Sequence, residues 1–135
     1  MAGKAAMPED VRIARVFAAG ERDPVPGDPG QSWLADAGER ERVTGYLRAG
    51  APILMTTALQ PDRLDPARGK AVGASYRTDG SWVWSDALTY YVRMHDLAPE
   101  DEFYQHIRAN GYACPAPDDA AQDRALVALY ASLRT

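Results

Sequence analysis

A single cysteine, Cys114, stands in 135 residues. No internal disulfide can form, so a disulfide-framework fold is excluded and a reducing, cytoplasmic setting is the expectation. A chain this long buries roughly two-thirds of its unfolded surface without such staples. No apolar run approaches the roughly 20 residues that a membrane span needs. Met1 to Met7 leads into Pro8-Glu9-Asp10 rather than into the apolar core of a signal peptide. Lysine is scarce as well: of 15 basic residues only Lys4 and Lys70 are lysine. With many Ala, Pro and Gly this points to a GC-rich coding sequence and has no functional weight.

A basic face is also missing. Residues 1–84 carry 11 acids and 11 bases and residues 85–135 carry 8 acids and 4 bases, so the second part holds the whole formal charge of −4. Phosphate contacts need a basic surface, which argues against nucleic acid as a partner. An acidic face instead suits a basic protein, or simply keeps the chain soluble.

Motifs of standard chemistry are absent too. His95, His106 and Cys114 show neither Cys-x-x-Cys nor His-Glu-x-x-His spacing, so no metal and no other cofactor is expected. There is no Gly-x-Ser-x-Gly elbow, and Cys114 beside Pro115 has no local base. Gly69, Gly73 and Gly80 match neither the P-loop nor the dinucleotide fingerprint. No residue is therefore assigned a catalytic role.

What is present is concentrated between residues 73 and 109. Alternation on either side of Asp79-Gly80 predicts a β-hairpin with Ala71 to Tyr76 and Trp82 to Trp84 as its arms. Period two puts Trp82 and Trp84 on one face and Val83 on the other. Ser85 is a good N-cap, so a helix over Asp86 to Asp96 follows, with Leu88, Tyr91, Val92 and His95 as its apolar stripe. Pro99 opens another helix through Phe103 and Ile107, stopped by Asn110-Gly111. Asp118 or Asp119 caps a last helix whose seam is Leu126, Leu129, Tyr130 and Leu133.

Before the hairpin, Val11 to Phe17 reads as a first strand, with a short helix as the alternative. Gly20 to Gly30, with three prolines, reads as a loop. Ser32 caps a helix with body Trp33 to Ala49, and Pro52 to Leu59 reads as a strand buried on both faces. Gln60 to Gly69 is a polar connector. The prediction is one α+β domain over residues 1–135, with residues 1–8 a tail. It has a small, mainly antiparallel sheet of three to four strands and about four helices, mostly on one face.

The hairpin tip is the candidate site. Asp-Gly supplies the turn and Arg77 covers aromatic surface, which accounts for the tip structurally. Functionally, Arg77, Asp79, Trp82 and Trp84 form an anchor for a protein partner, since Trp, Tyr and Arg dominate interface hot spots. Glu100, Asp101 and Glu102 stabilise a first helical turn and double as electrostatic steering towards a basic partner. The run Tyr76 to Trp84, with Tyr90-Tyr91 and Phe103-Tyr104-Gln105-His106-Ile107, resembles a pattern in small uncharacterised bacterial proteins, some of them like immunity partners of secreted toxins. The resemblance covers about residues 71–112, brings no catalytic residues, and implies a protein-binding module, an immunity-type inhibitor being its specific form. The alternative is a small enzyme or small-molecule-binding domain with a pocket between the hairpin at 71–84 and the helix at 86–96. A homo-oligomer through the Trp82/Trp84 face or the last helix is a third arrangement.

Overall fold

The computed structural model describes residues 11–20, 24–25 and 27–134. The expected tail at 1–8 and part of the expected loop between Gly20 and Gly30 lie outside those residues.

The elements run β1 (Arg12–Ile13), α1 (Ala37–Arg48), β2 (Ala51–Leu54), β3 (Leu59–Pro61), a 3-10 turn (Pro66–Arg68), β4 (Lys70–Gly73), β5 (Tyr76–Thr78), β6 (Trp82–Ser85), α2 (Asp86–His95), α3 (Asp101–Ala109) and α4 (Asp119–Leu133). The fold is α+β: a four-stranded mixed sheet in the order β1-β6-β5-β2, a two-stranded sheet of β3 and β4, and four helices. β5 pairs antiparallel with both β6 and β2, and only β1, beside β6, is parallel.

The centre of the sheet is β6, every residue of which is buried. Alternation divides its side chains as the sequence predicts. Trp82 and Trp84 enter a core with Val43, Tyr46 and Leu47 of α1, Leu88 and Tyr91 of α2, and Phe103 and Ile107 of α3. Val83 faces the other way, onto Ala125 and Leu129 of α4. Three helices thus cover one face and α4 the other. Burial of these aromatic and aliphatic side chains, each worth roughly 1.5–3 kcal/mol, is the main force joining helices to sheet.

Helix starts follow local chemistry. Ser85 Oγ accepts from Ala87 N at 3.0 Å and Asp118 Oδ1 from Ala121 N at 2.8 Å, both at predicted N-caps. α1 begins later than predicted because Asp36, not Ser32, is its cap, accepting from Glu39 N at 2.7 Å. The residues between leave the helical path, and Trp33 bridges to Leu97 instead. In α3, Pro99 precedes the helix and Glu100 is the cap position.

Three strand predictions are corrected. The run from Pro52 to Leu59 is not one strand buried on both faces: β2 ends at Leu54, and Leu59 begins β3, all of which is exposed. The arm from Ala71 to Tyr76 is also divided. β4 pairs with β3, while β5 alone pairs with β6, because the chain breaks at Ala74-Ser75, where Ser75 exchanges bonds with Thr56 and accepts from Asp86 N. β1 is only two residues long. On α4, Ala125 and Leu129 are buried, whereas Tyr130 and Leu133 of the predicted seam are about half exposed, at 45% and 54%.

Candidate functional site

The turn between β5 and β6 places Asp79 inside the protein. Its Oδ1 accepts from Ser81 N and Trp82 N, each at 2.9 Å, which folds the turn around the carboxylate, while Gly80 supplies the positive φ of 97°. Its Oδ2 receives the Tyr46 hydroxyl from α1 and His106 Nε2, at 2.8 Å, from α3. Asn110 Nδ2 donates to the Tyr46 oxygen at 2.9 Å. One carboxylate therefore ties the hairpin to two helices. Burial, then the bond to Asp79, raises the Tyr46 phenol far above the usual tyrosine range.

A second aspartate repeats the device. Asp62 Oδ1 accepts from Leu64 N at 2.8 Å and Asp65 N at 2.9 Å, and its Oδ2 receives Tyr90 Oη at 2.6 Å and His95 Nε2 at 2.7 Å. Its side chain is fully buried. Burial works against the charge, but the bonds from Tyr90, His95 and the two amides outweigh it and hold the carboxyl at about 2. Asp62 thus fastens the loop after β3 to α2, as Asp79 fastens the hairpin to α1 and α3.

Each dyad contains an Asp and a His, the orienting half of a triad. Among the described residues, however, no Ser, Thr or Cys hydrogen-bonds to either imidazole. Cys114, the one thiol, is pushed up to about 11 by burial and then by the Asp79 charge, so it is protonated at neutral pH. No group of three or more metal-ligating side chains occurs among the described residues.

Glu39 forms the third knot, and its reach is long. Its Oε2 accepts from Tyr104 Oη and, at 2.7 Å, from Tyr112 Oη, while Oε1 takes Arg42 Nη2 at 2.9 Å. The Tyr104 and Tyr112 bonds, against the cost of burial and with Arg42 helping, hold this carboxyl at about 2. Unfolded glutamate titrates near 4.3. A depressed folded value contributes stability that is full above the unfolded value and is lost as pH falls through the folded one. Tyr104→Phe should therefore cost about 1 kcal/mol at pH 7, and the difference from wild type should shrink as pH falls from about 4 to 2. Urea unfolding at neutral and acid pH measures this; a difference independent of pH would mean that Tyr104 does not act through the carboxylate.

The predicted anchor residues lie as follows. Trp84 is fully buried and Trp82 nearly so, at 0% and 5%, and the Asp79 side chain has no exposed surface. In the folded chain these three side chains serve the core and the turn and leave at most a few per cent of surface. Arg77 keeps about a quarter of its side chain exposed, yet it pairs with Asp86 at 2.9 Å and donates to Gly50 O at 3.1 Å, joining the end of α1 to the start of α2. Of the acidic cluster, Glu102 pairs with Arg12, and Glu100 takes Arg15 N at 2.7 Å and pairs with its guanidinium at 3.5 Å. Asp101 alone is exposed without an ion pair among the described residues. Sequence reasoning had no signal for Glu39 or Tyr46. For Asp62 one existed: an aspartate in a proline-containing turn with free amides two and three residues on, as at Asp79.

A recess of about 400 Å³ opens where β4, the strand break at Ala74 and the first turns of α2 meet. Phe17, Val72, Ala74, Ala87 and Tyr91 give it a mainly apolar wall, and Gln60 and Arg63 stand at its polar side. Arg63 lies over the Phe17 ring at 5.0 Å, and its backbone N–H donates to Tyr91 Oη at 2.7 Å. Leu59, next to Gln60, is half exposed at 50%.

Family models, curated proteins and solved structures yield no match to this chain. The residues themselves therefore carry the functional argument. No helix among the described residues is long and apolar enough to cross a membrane.

Proposed function

We propose that the chain is a ligand-binding domain that takes a compact, mainly apolar group into the recess between the β3/β4 sheet and α2. The observation that supports this is the recess itself: about 400 Å³, apolar-walled, with few polar groups at its edge. That size and lining are typical of small-molecule sites. The aspartate and glutamate knots have their oxygens taken by internal bonds, which favours binding over catalysis.

The test is an amide-resonance titration with indole as the probe. Saturable shifts confined to Gly73, Ala74 and Ala87 are expected, and Ala74→Leu, which fills the recess from a partly exposed position, should weaken binding about tenfold or more. Shifts scattered over the surface, or unchanged in the Leu variant, would overturn the reading.

A second reading is that of a protein-binding module, with an immunity-type inhibitor as its specific form. It draws on Leu59, next to Gln60 of the rim, and on Met55, just after β2, exposed at 50% and 60%. In that case the recess receives a partner's side chain, and Leu59→Asp should abolish capture of the partner while leaving indole binding intact.

A further inference from the structure

We infer that the α1–α2 side of the molecule holds a second site, specific for a phosphoryl group. A recess of about 260 Å³ lies there, lined by Arg48, Arg77, Asp86, Thr89, Tyr90 and Arg93. Three of its polar groups are already engaged: Arg77 and Asp86 with each other, and Tyr90 with Asp62. Three are not. Arg48 and Arg93 are exposed, and among the described residues neither guanidinium makes a hydrogen bond or an ion pair, although the Arg48 carbonyl accepts from Arg77 Nη1 at 3.5 Å. Thr89 Oγ1 is buried and has no hydrogen-bond partner. Being helical, Thr89 had a nearby carbonyl available in the preceding turn and does not use it.

Helix dipoles explain only part of this charge. Arg48 and Arg93 stand in the last turns of their helices, where the dipole favours cations. That does not explain why both line the same recess, and again the same adjoining groove of about 460 Å³, whose one carboxylate, Glu41, pairs with neither. Around the recess three guanidiniums face one aspartate, so the local charge is positive on a protein of net charge −4. Like charges gathered without a counter-charge repel, and a buried hydroxyl without a partner is costly. A dianionic group with several acceptor oxygens answers both: it draws forked bonds from the two free guanidiniums and accepts the Thr89 proton. The site is separate from the apolar recess and does not depend on the reading given for it.

The experiment is a titration of the full chain with inorganic phosphate at constant ionic strength, chloride being the anion exchanged, followed by amide resonances. Saturable shifts at Arg48, Thr89 and Arg93 are expected. Arg48→Gln and Arg93→Gln, both at exposed positions that leave the core untouched, should each weaken binding about tenfold or more. Thr89→Val should weaken it several-fold and Thr89→Ser should not, while Lys70→Gln should leave it unchanged. Linear shifts common to wild type and variants would overturn the site. Acetate binding as tightly as phosphate would overturn its phosphoryl specificity.

Discussion

Asp79→Ala is expected to lower stability by about 3–5 kcal/mol, the range for removing one member of a buried, charged hydrogen-bond group. The variant removes one acceptor group and leaves four donors behind. Ser81 N is at the surface and water can satisfy it, whereas Trp82 N and the Tyr46 hydroxyl are interior. The Tyr46 oxygen still accepts from Asn110, but its hydroxyl proton and Trp82 N both lose their Asp79 partner. The turn then keeps the 3.3 Å contact from Asp79 N to Trp82 O and the Thr78 hydroxyl, which donates to Trp82 O at 2.7 Å and accepts from Gly80 N at 2.9 Å, to hold its shape. Asp79→Asn separates hydrogen bonding from charge. The amide oxygen keeps the two turn amides, so the loss should fall to about 1–2 kcal/mol. Urea unfolding of both variants decides the matter, and a loss below about 1 kcal/mol for the Ala variant would show that the hairpin stands without the carboxylate.

The contrast between what the sequence shows and what it conceals follows from distance along the chain. The Trp82-Val83-Trp84 alternation, the Ser85 and Asp118 caps and the stop at Asn110-Gly111 rest on neighbours within a turn or a strand, and each appears in the structure where the local pattern puts it. The α+β class follows from them. The strand partners do not: Leu59–Pro61 and Lys70–Gly73 pair with each other across a loop that composition marks only as polar. The three knots lie further out of reach. Asp62 meets His95, Asp79 meets Tyr46 and His106, and Glu39 meets Tyr104 and Tyr112, each pairing set by tertiary packing.

The same distance hides the burial of the hairpin tryptophans. Trp and Arg beside a tight turn have the composition of an interface hot spot, and equally that of a core seam; burial alone distinguishes the two. Here the core takes both hairpin tryptophans, and Arg77 bridges two helix ends. Apolar surface remains available at the recess and at Leu59 and Met55 instead.

Trp84→Ala should cost about 3–5 kcal/mol, since a fully buried indole is replaced by a cavity. The ring lies 5.3 Å from Phe103 and 5.9 Å from Tyr46, centroid to centroid, so α1 and α3 lose a shared surface together. Its Nε1 also donates to Leu47 O at 3.0 Å, close to the C-terminal end of α1, and that carbonyl loses the indole as a partner. Against a typical total of 5–15 kcal/mol, the variant would stand at the margin of folding. Trp84→Phe keeps most of the apolar contact and should lose about half as much. Gly50 supplies the decisive control, because a Cβ there would lie 2.4 Å from Trp84 Cζ2 and 3.0 Å from Cη2. Gly50→Ala should thus destabilise wild type by about 1–3 kcal/mol through overpacking, yet cost much less where Phe has replaced Trp84. A double-mutant cycle on Gly50→Ala and Trp84→Phe reads that coupling directly. Additive losses would mean that the methyl is opposed by the Arg77 Cβ, 3.0 Å away, and not by the indole against which the end of α1 packs.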